Sequence, residues 1–130
     1  MIERRPPSHR PHLHADGSWP SVSVVVSTYN RRAALEHLLR GLDRVRASAI
    51  RLDAVVHVDG CTDSTRDLLG RISLGYPLQV IESTTKMGPA RGRNRALAHA
   101  QGDVVLFLDD DVLPQPGLIE RHLAVHREDP

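Results

Sequence analysis

Five apolar residues, Val104 to Leu108, run without interruption and stop at three consecutive aspartates, Asp109, Asp110 and Asp111. A run with no polar alternation is expected to be covered on both faces, and such strands belong to sheets with helices packed above and below. Similar runs recur upstream. Val22 to Val26, Leu52 to Val58 and Leu78 to Ile81 are short and rich in β-branched residues, and longer amphipathic or polar stretches separate them. Strand alternating with helix predicts an α/β domain on a mostly parallel sheet. The chain of 130 residues, 40% hydrophobic and 25% charged, suffices for one core and is too short for two ordinary domains.

The intervening stretches read as helices. Leu35, Leu38, Leu39, Leu42 and Val45 repeat at three-and-four spacing and make one apolar stripe, with Asn30 placed to N-cap that helix. A second helix follows the break at Asp59-Gly60, capped by Thr62 or Asp63, with Leu68, Leu69 and Ile72 on its inner face. A third spans Pro89 to Ala100, with proline in its first turn, Gly102 just past its end, and Gly92 weakening it slightly. The first twenty residues are rich in Pro, His and Arg and show neither periodicity. Residues 1–20 are therefore expected to be a disordered or loosely packed tail, anchored by Trp19, and the folded domain to span 21–130. His9, His12 and His14 cluster in that tail, but nothing ordered holds them as a metal site.

The net charge of +1 gives no global attraction to nucleic acid, so an anionic ligand must be met by local charge. One cysteine, Cys61, excludes an internal disulfide. No stretch approaches the roughly 18 apolar residues of a membrane span, and the N-terminus lacks a secretory core, so a cytoplasmic location is expected.

In an open α/β sheet, ligands bind beyond the carboxyl ends of the strands. Three loops fall on that edge: 27–30, 58–63 and 109–111. Adjacent carboxylates repel increasingly as water is excluded, and a divalent cation relieves that repulsion. Hard oxygen ligands favour Mg²⁺ or Mn²⁺, completed by water and phosphate oxygens. In an extended segment residues two apart point the same way, so Asp109 and Asp111 are the expected metal ligands while Asp110 turns aside. Lys86, Arg91, Arg93 and Arg95 supply the opposite sign just upstream, with Arg93 the best placed and Arg95 the weakest. A metal on one side and arginine on the other would together neutralise a diphosphate.

Four segments, Val24 to Arg31, Val58 to Asp63, Gly88 to Asn94 and Phe107 to Asp111, resemble in order and spacing the successive signatures of family 2 glycosyltransferases with the GT-A fold. The resemblance covers residues 21–130. It implies a Rossmann-like nucleotide-diphospho-sugar-binding domain, a nucleotide diphosphate sugar donor, a metal-binding Asp-x-Asp motif and inverting transfer to an acceptor whose identity is not implied. By the same resemblance Thr28 and Tyr29 flank the nucleotide base, Asp59 bonds it, Asp109 and Asp110 lie in the donor site with Asp109 near the ribose, and Asp111 ligates the metal. Gly88 and Arg93 fall in the segment that approaches the donor.

This chain departs from the family pattern at three positions. Ser27 stands where the family commonly has proline, Val58 replaces the first of two paired aspartates, and Cys61 replaces a small hydroxyl residue. The valine is expected to remove an acceptor from the base pocket and alter nucleotide preference. The family's acceptor site and general base lie in a second half beyond Pro130, so the base is expected outside this chain and the domain to be incomplete. Its open sheet edges would then call for a partner chain or oligomer. Glu120, Glu128 and Asp129 are not assigned as base.

Two alternatives compete: a truncated or degenerate nucleotide-sugar-binding protein without transfer activity, and a haloacid dehalogenase-type phosphatase. The latter would open the fold with its aspartates and carry Thr or Val where Leu113 stands. A G-x-G-x-x-G turn after the first strand is missing. His57 reads as a core or edge residue, Cys61 lacks a histidine partner nearby in sequence, and His122 with His126 offers no third metal ligand.

Overall fold

A computed structural model describes residues 2–4 and 19–128, with side chains from Trp19 to Val125. His9, His12, His14 and Asp129, and the side chains of His126 and Glu128, lie outside the described residues. The elements run β1 (Ile2–Arg4), β2 (Val22–Thr28), α1 (Arg32–Val45), β3 (Leu52–Asp59), α2 (Thr65–Arg71), β4 (Leu78–Ser83), α3 (Pro89–Leu97), β5 (Val104–Phe107) and α4 (Leu118–Glu128).

The sheet order is β1-β5-β2-β3-β4. β5, β2, β3 and β4 are parallel, with Val25 opposite both Val55 and Phe107. The α/β fold with a mostly parallel sheet is thus as expected. One difference lies at the N-terminus, where Ile2–Arg4 pairs antiparallel with β5, Glu3 opposite Val105. Within the tail expected to be disordered or loosely packed, these three residues form a short strand, because a neighbouring strand edge supplies partners that no local pattern encodes.

Alternation along the strands divides the interior in two. Val22, Val24 and Val26 join Ala54, Val56, Val58, Val104 and Leu106 under the α1 leucines, together with Leu69, Ile119 and Leu123. Val25, Val55 and Val105 join Ala96 and Ala100 in a smaller cluster beneath α3. Leu35, Leu38, Leu39 and Leu42 are fully buried, each stabilising the fold by roughly 2 kcal/mol relative to an exposed position. Trp19 packs, half-buried, against the larger cluster.

Tyr76 closes that cluster from below, its hydroxyl donating to the Leu39 carbonyl at 2.6 Å. Burial pushes the phenol far above its ordinary range, so the bond is made by the neutral form. Tyr76→Phe is expected to lower stability by about 1 kcal/mol, measured as an earlier urea midpoint with an unchanged slope.

Several boundaries differ from expectation. The N-cap of α1 is Arg31, without a side-chain capping bond, while Asn30 has a left-handed backbone (φ 51°) and turns its amide to the neighbouring loop. Ser64 is the N-cap of α2, although Asp63 Oδ1 does accept from the Thr65 amide at 3.0 Å. α3 ends at Leu97 rather than Ala100, and β5 at Phe107 rather than Leu108.

Candidate functional site

The chain leaves β2 toward β3 and β4 on one side and returns through α3 to β5 on the other. The carboxyl ends of β2 and β5 therefore diverge around a crevice, the position at which doubly wound sheets bind ligands. A cleft of about 440 Å³ opens there, lined by Ser27, Thr28, Tyr29, Arg31, Asp59, Lys86, Pro89, Arg93, Asp109, Asp110 and Asp111. Thr28, Tyr29, Asp59, Arg93, Asp109, Asp110 and Asp111, all expected at the site from sequence, thus reach one cavity, whereas Gly88, Arg91 and Arg95 do not line it.

The aspartates divide by environment. Leu108 is still tied to β2 by its amide, and an i to i+3 turn then forms as Val112 N donates to the Asp109 carbonyl. The segment is a turn rather than the extended strand expected, so strand alternation does not explain its side-chain directions. Asp110 is only 8% exposed and accepts from Thr28 Oγ1 at 2.9 Å. Burial pushes its carboxyl above the ordinary range; the Thr28 hydroxyl and Arg31 oppose the rise, and the neighbouring carboxylates of Asp111 and Asp109 add to it. Asp109 and Asp111 are 68% and 58% exposed. Asp109 pairs with Arg93 of α3, and Asp111 lies 3.3 Å from Arg31, which also stands 3.6 Å from Asp110. α1 and α3 pack on opposite faces of the sheet, so the two exposed carboxylates are held by cations from opposite sides.

Asp59 ends β3 and is 2% exposed. Its Oδ1 accepts from Met87 N at 2.7 Å and Ser83 Oγ at 3.3 Å, and its Oδ2 from Gly88 N at 3.0 Å. Burial alone would raise this carboxyl, but the Met87 and Gly88 amides and the Ser83 hydroxyl outweigh it and hold it below the ordinary range. The anion therefore fixes the loop that opens α3. Gly60 makes room for that loop: at φ 65° its backbone suits glycine, and a Cβ there would lie 2.7 Å from Lys86 N. Lys86 in turn stands 4.1 Å from the centre of the Tyr29 ring, a cation–π contact across the cleft mouth.

Gly92 brings α3 down onto the sheet. A Cβ at this position would overlap both His57 Nδ1 and Ser27 Oγ, so its role is close approach rather than helix weakening. Arg95 donates to the Glu82 carbonyl, away from the cleft, and Arg91 is exposed outside it.

Sequence reasoning gave no role in the site to Ser27, Arg31 or Pro89. The arginine pair Arg31-Arg32 at the start of a helix was the available signal for Arg31. Val58, expected as a lost acceptor in the base pocket, is fully buried in the larger core cluster and does not line the cleft, although its register partner Thr28 does.

The family model described as Glycosyl transferase family 2 matches residues 23–130. The chain is 34% identical over 111 residues to validoxylamine A glucosyltransferase of Streptomyces hygroscopicus subsp. jinggangensis, covering 82% of this chain and 26% of that protein. Among solved structures, S. aureus TarS 1-349 in complex with UDP-GlcNAc superposes with a TM-score of 0.73 at 30% identity, covering 80% of this chain and 30% of that one. Mannosyltransferase PcManGT from Pyrobaculum calidifontis in complex with GDP-Man and Mn²⁺ gives 0.70 at 29% identity, covering 85% and 33%. The chain spans between a quarter and about a third of the length of such curated relatives, 27%, 35% and 26% in three cases.

Proposed function

This chain belongs to glycosyl transferase family 2, and on that footing we propose that its cleft binds a nucleotide diphosphate sugar with a divalent cation for inverting transfer of the sugar to an acceptor. The phosphatase alternative falls with the family match. The observation that carries the reading is the pairing of two exposed carboxylates with two arginines around one crevice at the point where strand order reverses. Such a surface offers a seat to a cation and to an anion together.

The donor set suits Mg²⁺ or Mn²⁺. Asp109 and Asp111 are hard oxygen ligands with no sulfur or imidazole beside them, and among the described residues no group of three potential ligands occurs. Two carboxylates from the protein, with water and diphosphate oxygens filling the shell, match these ions' habit. A cation bound there would neutralise the diphosphate and stabilise it as a leaving group. Arg93 and Arg31, released from the carboxylates, would turn to phosphate oxygens. Thr28 and Tyr29 would flank the base, with Tyr29 offering a ring face that Lys86 now covers. Asp59, already bonded to two amides, would present its remaining lone pairs to the base. Asp110 would act from beneath, holding Thr28 and Arg31 in place.

Titration calorimetry with UDP-GlcNAc and GDP-mannose, with and without Mn²⁺, tests the reading. Binding is expected to strengthen at least about tenfold with metal, as a charge-neutralised diphosphate contact requires. Asp111→Asn should remove that enhancement while leaving the metal-free affinity nearly unchanged. Metal-independent binding of equal strength in the wild type would overturn it. Among the described residues, no helix is long and apolar enough to cross a membrane.

A further inference from the structure

Behind the cleft, Ser27 and His57 are register partners on β2 and β3, and their side chains meet beneath Gly92, Ser27 Oγ 3.3 Å from His57 Nδ1. His57 is fully buried, and its Nε2 has no hydrogen-bond partner. Burial holds the imidazole below its ordinary range, the nearby Asp59 charge opposing and Arg95 assisting, so the ring is neutral near pH 7 and carries one N–H.

That proton can sit on either nitrogen. On Nε2 it would be a buried donor without an acceptor, an arrangement folded proteins rarely tolerate, whereas an unfilled acceptor is commoner. On Nδ1 it meets the Ser27 oxygen. The second arrangement costs less. It also fixes the serine: with an oxygen lone pair occupied by Nδ1–H, the hydroxyl proton is left to point elsewhere, and Ser27 lines the cleft.

We infer that Ser27 is a further donor-site residue, its hydroxyl donating to an acceptor atom of the bound nucleoside, and that His57 is the positioning residue that orients it. The inference rests on the nucleotide-sugar reading of the cleft. A proline at this position, as the family commonly has, could supply neither the hydroxyl nor the pairing with His57, so the contact would distinguish this chain's nucleoside preference from that of relatives.

Two measurements test it. Imidazole ¹⁵N shifts should show His57 with Nδ1 protonated and Nε2 bare; the opposite tautomer would overturn the orientation of Ser27. Ser27→Ala should weaken Mn²⁺-supported binding of UDP-GlcNAc or GDP-mannose, whichever the wild type binds, by roughly fivefold, the scale of one hydrogen bond. The same substitution should leave binding of inorganic pyrophosphate with Mn²⁺ unchanged, since the contact is to the nucleoside. Equal affinities for the nucleotide sugar, or equal weakening of both probes, would overturn the role of Ser27 alone. A wild-type chain that binds neither nucleotide sugar would overturn both this role and the reading beneath it.

Discussion

Asp59→Ala should lower folding stability by about 3 kcal/mol and take nucleotide binding below detection, because one side chain holds both the floor of the cleft and the loop that opens α3. The substitution strands the Met87 and Gly88 amides, which now donate to a charged acceptor at 2.7 and 3.0 Å. Bonds to an ionised group contribute about 1.5–3 kcal/mol each, and burial keeps water from replacing them fully. Urea denaturation measures the first loss and calorimetry the second. An alanine variant within about 0.5 kcal/mol of wild type would show that the loop is held by other contacts.

A pH dependence accompanies this effect. The folded-state carboxyl lies below its ordinary range, so Asp59 contributes stability that is fully present above the unfolded value of about 4 and is lost as pH falls through the folded value. Wild-type stability should therefore decline below about pH 4 more steeply than that of Asp59→Asn, which has no such proton to take up. Parallel acid profiles would count against the linkage.

Gly92→Ala separates local propensity from tertiary fit. In an exposed helix this change stabilises by about 1 kcal/mol. Here the added methyl enters space held by the His57 ring and the Ser27 hydroxyl, and the ring, fully buried on β3, has nowhere to go. Overpacking of this kind costs about 1–3 kcal/mol and outweighs the propensity gain, so a net loss of about 1 kcal/mol is expected, with a melting temperature lower by roughly 3–6 °C. Gly92→Val should lose more. A raised melting temperature for the alanine variant would mean that α3 lies farther from the sheet than the structure places it.

Much of the architecture was legible because strands buried on both faces announce themselves: Val22 to Val26, Leu52 to Val58 and Val104 to Leu108 carry their environment in their composition. The cleft was legible for the same reason, since strand order places residues at strand ends together whatever lies between. What escaped depends on approach rather than pattern. Ile2–Arg4 is too short and too polar to read as a strand without β5 beside it. Gly92 looks like a flaw in a helix until the sheet beneath it is seen. The separation of Asp110 from Asp109 and Asp111 was expected from strand alternation, but it is a turn, with Val112 N on the Asp109 carbonyl, that buries Asp110 and leaves the other two exposed.

Asn30 was misread as a cap because its partners are distant in sequence. Its Oδ1 accepts from the amides of Thr62 and Asp63 at 2.8 and 3.2 Å, its Nδ2 donates to Thr62 Oγ1, and its own amide reaches Cys61 Sγ. One carboxamide thus rivets two exposed turns to each other. Deuterium uptake at residues 62 and 63 should lag behind that of other surface amides, and the two turns should unfasten in a single step. A ligand arriving at the crevice would find that wall already set, and would have to order only the side chains that face it.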